Sequence, residues 1–258
     1  MPQDSFWADD LALDGEGDIY VACSMSSDGF TTAVIWKARG SNGLKSGAWD
    51  YVPRHGDSAS FETLAVRGSN VVATGSVWTK NVDKSVNAVV AKFNRGLQKK
   101  ASKEWGVGNK SEEWFREAVI DSKGSVFVTG EQGVEGEYSK AVTMKLDAKL
   151  TKVVWSRKYK PPSRDAAVGQ YIARDGAGDI YVGDYEGLSA LLPPKSLFTT
   201  KYSAAGARKW VRTWSGGKGG SMSWPAGLVL GSKDGVYVGG GAESKGGVHQ
   251  AVLLKYRR

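Results

Sequence analysis

Two sets of residues in this 258-residue chain recur at a spacing that could build a binding site. Trp7, Ser60, Trp114, Val168 and Trp224 form the first set. Asp9, Glu62, Arg116, Gln170 and Ala226, each two residues further on, form the second. Side chains two apart on an extended strand point to the same side. If the five segments converge, they bring indoles next to two carboxylates, a guanidinium and an amide. Indole faces stack on the C–H faces of sugars while carboxylates and amides hydrogen-bond the hydroxyls, and the same groups suit stacked bases or cations. The polar position changes from acid to base to amide, which argues for one asymmetric site instead of five equal ones. Large aromatics at such positions also serve to fill the wedge between neighbouring sheets, and rim charges also form plain surface ion pairs.

Other residues add chemistry to this set. His55, in the turn Pro53-Arg54-His55-Gly56-Asp57, is the side chain whose ordinary pKa best suits a general base. With Glu62 and Asp9 it makes up the catalytic candidates, although a lone loop histidine is more often simply exposed. A loop from Asp184 to Lys195, apolar and stiffened by Pro193-Pro194, is expected to bring Asp184 and Tyr185 to the same mouth as Trp7, Trp114 and Trp224. Two histidines and the single Cys23 exclude a Cys/His zinc site. Asp184, Glu186 or Glu243 leave room for a calcium site, but no Asp-x-Asp-x-Asp-Gly loop is present. Phosphate-binding Gly-x-x-x-x-Gly-Lys loops and Gly-x-Ser-x-Gly elbows are absent too. The expectation is therefore no metal and no cofactor.

The elements that must position these residues emerge when the chain is compared with itself. Ile19, Val71, Val126, Ile180 and Val236 are the centres of similar short apolar runs 52 to 56 residues apart. A second apolar run precedes each by seven or eight residues, as in Leu11-Ala12-Leu13 and Ala118-Val119-Ile120. A third follows and always ends in lysine: Lys37, Lys92, Lys145, Lys201 and Lys255. A fourth carries Trp49, Trp105, Trp155 or Trp210, and none follows Lys255. The runs are short, β-branched or aromatic, and bounded by Gly, Asp, Ser or Asn, which is strand chemistry without a helical period. Four strands per unit at this period are the mark of propeller blades.

Ala118-Val119-Ile120-Asp121-Ser122-Lys123-Gly124-Ser125-Val126-Phe127-Val128-Thr129-Gly130 resembles the bacterial β-propeller repeat family, whose units run approximately A-V-D-x-x-G-N-V-Y-V-T-G. Trp210-Val211-Arg212-Thr213-Trp214-Ser215-Gly216-Gly217 is similar to the end of that unit. The resemblance covers nearly the whole chain and implies an architecture and a secreted or cell-surface setting, with no catalytic motif to carry over. The expected fold is all-β, a single five-bladed β-propeller over 1–258 with four-stranded antiparallel blades at 7–57, 58–110, 111–164, 165–220 and 221–258. The fifth blade lacks its own outer strand, so its fourth strand is expected from residues 1–6 or from another copy pairing at the open edge.

Composition bounds the remaining choices. Thirty-four glycines without a collagen period require many tight turns, and the formal charge of +8 leaves polyanion binding open. The lysines are dispersed, which favours a merely solvated surface. No apolar run approaches a membrane span, and Met1-Pro2-Gln3-Asp4 lacks the basic and apolar regions of a signal peptide. The functional expectation is a monomeric ligand-binding propeller, for carbohydrate above all. Two alternatives stand beside it: a glycoside hydrolase or lyase using the same carboxylates or His55, and a scaffold for protein or nucleic acid.

Overall fold

A computed structural model of the chain describes residues 5–27, 30–51, 58–79, 85–108, 110–135, 137–161, 166–187, 196–216, 222–232, 234–243 and 247–258. These residues form nineteen strands and no helix. The first sheet joins β1 (Ser5–Leu13), β2 (Ile19–Ser27), β3 (Phe30–Ala38) and β4 (Lys45–Tyr51) in that order. The second joins β5 (Ser58–Arg67), β6 (Asn70–Trp78), β7 (Val86–Asn94) and β8 (Lys99–Trp105). A single parallel bridge, Val86 to Glu112, links it to the third, β9 (Ser111–Ile120), β10 (Val126–Val134), β11 (Lys140–Leu146) and β12 (Val153–Tyr159). The fourth contains β13 (Ala166–Arg174), β14 (Ile180–Gly187), β15 (Ser196–Tyr202) and β16 (Arg208–Trp214). The last contains β17 (Met222–Leu230), β18 (Gly235–Glu243) and β19 (His249–Arg257), three strands, as the missing tryptophan run requires.

Each turn between first and second strands has a local cause. Asp14 Oδ1 accepts the N–H groups of Glu16 and Asp18 at 2.9 and 3.1 Å, and Asp121 Oδ1 accepts those of Lys123 and Ser125 at 2.9 Å. Gly17 and Gly124 complete these turns at φ of 87° and 80°, a region that side chains disfavour. The repeated lysine is tied to the same corner. Lys37 reaches Asp18 at 2.7 Å and lies over the Tyr20 ring, and Lys201 reaches Asp179 at 2.8 Å and lies over Tyr181. In the second sheet Val72 replaces the ring opposite the lysine, and Lys92 turns instead to the carbonyl oxygens of Gly124 and Ala148 at 2.9 and 2.8 Å. The five lysines thus owe their recurrence to construction.

The chain divides into two compact units, Met1–Val128 with Lys145–Val154, and Thr129–Met144 with Trp155–Arg258. In the first, Tyr20, Ile35, Tyr51, Phe61, Val71 and Phe93 form the core between the first two sheets. Trp49 of β4 meets Phe93 edge-on at 4.6 Å, so the repeated outer tryptophan packs on the following sheet. In the second unit Tyr159, Ala167 and Phe198 form a smaller cluster, and the indole of Trp155 donates to Ala204 O at 3.2 Å. Ile35 and Val90, in the middle of third strands, are fully buried, whereas Leu253 at the same place in β19 is 71% exposed.

The strands begin earlier than the apolar runs imply. Trp7, Ser60, Trp114, Val168 and Trp224 lie inside β1, β5, β9, β13 and β17. Ser5 and Phe6, expected as part of a closing strand, pair instead with Ser26 and Met25, because β2 continues that far and requires a partner there. Residues 1–4 lie outside the described residues.

Candidate functional site

Four of the first strands carry a β-bulge at one equivalent place, between Ala8 and Asp10, Phe61 and Thr63, Gly169 and Tyr171, and Pro225 and Gly227. The residues left without a cross-strand partner are Asp9, Glu62, Gln170 and Ala226. They belong to the polar set that varies from unit to unit. A bulge adds one residue to one strand, bends it and re-aims the extra side chain. The backbone at that point is crowded. A Cβ on Gly75, opposite Phe61, would sit 2.0 Å from Ser60 O, and one on Gly240, opposite Pro225, would sit 2.3 Å from Trp224 O.

In the first unit the bulges of β1 and β5 open onto a cleft of about 390 Å³, lined by Trp7, Asp9, Ser24, Thr31, Ser60, Glu62 and Trp78. Trp7, Asp9, Ser60 and Glu62 come from the two recurring sets. Ser24 Oγ donates to Asp9 Oδ2 at 3.0 Å. Burial pushes the Asp9 carboxyl above its ordinary range, the neighbouring Asp10 adds to the rise, and the Ser24 hydrogen bond opposes it. Asp10 points elsewhere and clamps β5, taking Thr63 Oγ1 at 2.9 Å and the N–H of Leu64 at 2.8 Å.

Glu62 is held from behind. Arg116 Nη1 donates to Glu62 Oε2 at 2.8 Å, both side chains being about three-quarters buried. The guanidinium lies 4.9 Å from the centre of the Trp114 ring. Trp114 in turn meets Trp78 edge-to-face at 5.3 Å, and Trp78 forms a wall of the cleft. Arg116 and Trp114, expected at the rim, therefore back the two lining groups Glu62 and Trp78. Trp78, Ser24 and Thr31 were not among the expected residues. Trp78 is nonetheless a repeat-breaking residue, since the end of the second strand reads Ser26, Trp78, Gly133, Gly187 and Glu243.

The second unit uses the same bulge differently. Gly169 faces Asp184 across β13 and β14, so the glycine stands on the first strand and a carboxyl occupies the place that Gly75 holds in the second sheet. A Cβ on Gly169 would lie 2.2 Å from Thr129 Oγ1. Asp184 is 2% exposed. It accepts the N–H of the bulged Gln170, and its Oδ1 has no hydrogen-bond partner among the described residues. Burial drives its pKa well above the ordinary carboxylate value, against the Gln170 hydrogen bond. Its neighbour Tyr202 is likewise pushed up, by burial first and by Asp184 second. Tyr185 is half-buried, opposite Val168 and Leu197. Trp224 covers Gly241, where a Cβ would approach the indole to 2.5 Å, and lies 5.9 Å from the His249 ring.

Asp184, Glu186 and Glu243 do not form a group of three metal-ligating side chains, and no other such group exists among the described residues. His55 and residues 188–195 lie outside the described residues. Among the described residues, no helix is long and apolar enough to cross a membrane.

No protein-family model and no curated protein matches the sequence. Solved structures do match the fold. The polysaccharide lyase Uly1 superposes with a TM-score of 0.63 at 12% identity, over 96% of this chain and 57% of that one. A family PL25 ulvan lyase bound to -[GlcA(1-4)Rha3S]- gives 0.63 at 9% identity, over 95% and 67%. The GH93 α-L-arabinofuranosidase of Fusarium graminearum, with arabinobiose, gives 0.57 at 11% identity, over 99% and 76%. The chain thus spans little more than half of Uly1. Its all-β fold of four-stranded antiparallel sheets is similar to that of β-propeller lyases and glycosidases, a likeness of fold alone.

Proposed function

We propose that the chain is a carbohydrate-binding five-bladed propeller of the bacterial repeat kind, and that its site is the cleft of the first unit. One observation carries this reading: two indoles, two carboxylates and three hydroxyl-bearing residues line a single cleft of about 390 Å³, within the usual range for a bound small molecule. Indoles supply the apolar faces on which sugar rings stack. Asp9 and Glu62 accept sugar hydroxyls, while Ser24, Thr31 and Ser60 both donate and accept. Similarity in fold to carbohydrate-active enzymes supports the class without assigning the chemistry.

Catalysis at the same cleft is the second reading, and the unlike surroundings of its two carboxyls favour it. Asp9 has a raised pKa and suits a general acid, while Glu62 lies against Arg116 as an ionised base or nucleophile would. Isothermal titration with neutral, acidic and amino oligosaccharides, followed by reducing-end assays, tests both. Binding that disappears in Trp7→Ala, a substitution of a half-exposed side chain, supports the cleft. Wild-type heats of zero across the panel refute the reading.

A further inference from the structure

Resting on that reading, we infer that the cleft selects a cationic sugar, a glucosamine-type residue with a free amine, over neutral, acetylated or uronic acid sugars. Among the described residues, the lining includes two acids and no base. Arg116 answers Glu62 from outside the lining, at 2.8 Å. Asp9 receives only the neutral hydroxyl of Ser24 at 3.0 Å, and no cation lies within ion-pair distance of it among the described residues. An uncompensated carboxylate in a cleft attracts a ligand that brings a positive charge. Trp7 and Trp78 also line the cleft, and indole faces attract ammonium groups more strongly than other aromatic rings do. A uronate would instead meet the uncompensated carboxylate of Asp9.

The net charge of +8 does not oppose this. Lys37, Lys92 and Lys201 are spent on turn carboxylates and carbonyls, and charges more than a Debye length from the cleft are screened at physiological salt. The raised pKa of Asp9 adds a signature. Asp10 beside it and the Glu62–Arg116 pair across the cleft are the charged groups around it, with the buried Cys23 thiol also near. As pH rises through the Asp9 pKa the carboxylate forms and affinity for an amine increases, up to the pH at which the sugar amine itself loses its proton.

The test is calorimetric titration of the whole chain with glucosamine hexamer, N-acetylglucosamine hexamer, cellohexaose and galacturonate hexamer, at a pH where Asp9 is ionised and the amines are protonated. The expected result is glucosamine hexamer binding about tenfold or more tightly than its acetylated form. In Asp9→Asn, which keeps shape and removes charge, the two hexamers should bind alike. Acetylated or neutral hexamers binding as well as the amine would overturn the selectivity and leave carbohydrate binding intact. Tighter galacturonate binding, or an undiminished preference in Asp9→Asn, would also overturn it. Silence from all four hexamers removes both the selectivity and, for this cleft, the carbohydrate reading.

Discussion

The second and fourth sheets place a bulge at the same point and do opposite things with it. In the second sheet the bulged Glu62 reaches a cleft, pairs with Arg116 at 2.8 Å, and follows Phe61, which faces Gly75 across the ladder. In the fourth, the bulged Gln170 gives its N–H to Asp184, a carboxyl that is 2% exposed and whose pKa burial raises. A bulge frees one N–H and one side chain. On the proposed function the second sheet offers the side chain for recognition, while the fourth gives the N–H to an internal hydrogen bond. A perturbed carboxyl therefore signals a site only when it also borders open space.

The strongest way to break this comparison is to fill the small position. Gly75→Ala forces a Cβ to 2.0 Å from Ser60 O, and because both groups are backbone-bound the bulge must shift. A loss of about 2–3 kcal/mol in urea unfolding is expected, with weaker ligand binding. Gly227, just past the bulge in the last sheet, would place its Cβ in open space, and Gly227→Ala should stay within about 0.5 kcal/mol. Equal effects from the two would show that crowding is not what fixes the bulge.

A second contrast separates recognition from support. Glu62→Ala should lower oligosaccharide affinity by roughly tenfold while the melting temperature barely moves, because a partly exposed pair with Arg116 is worth about 0–1 kcal/mol. A fall of several degrees with affinity retained would make Glu62 structural, like its counterpart.

The smallest effect belongs to Asp184. Its folded-state pKa lies above the unfolded value, so the folded state binds the extra proton, and stability declines as pH rises from the ordinary carboxylate range through the raised pKa. Asp184→Asn keeps an acceptor for the Gln170 N–H and cannot ionise. Its melting temperature should match the wild type in acid and exceed it by a margin that grows toward alkaline pH. A constant difference at every pH would show that Asp184 does not titrate in this range.

What the sequence disclosed follows from the range of the forces involved. The strands, the lysine at each corner and the outer tryptophans depend on residues close in the chain or on the adjoining unit, and repetition makes such dependence visible. Asp9 and Glu62 were found as repeat-breaking residues, yet for an incomplete reason. Period-two alternation groups them with Trp7 and Ser60, but each stands at a bulge, which depends on cross-strand pairing that the spacing along one strand does not reveal. Arg116 and Trp114 occupy the expected strand and play a different part, because their contacts to Glu62 and Trp78 are tertiary. Trp78 itself was missed because only first strands were compared position by position.

The bulged residue has one more property. It has no partner across the ladder, so its identity carries no information about strand register, and a change there leaves every neighbouring pair in place. Positions 9, 62, 170 and 226 can therefore drift, or be randomised by an experimenter, with little penalty in foldability. In a chain of repeated units, that gives four of them one position where the side chain can change while the surrounding ladder is kept.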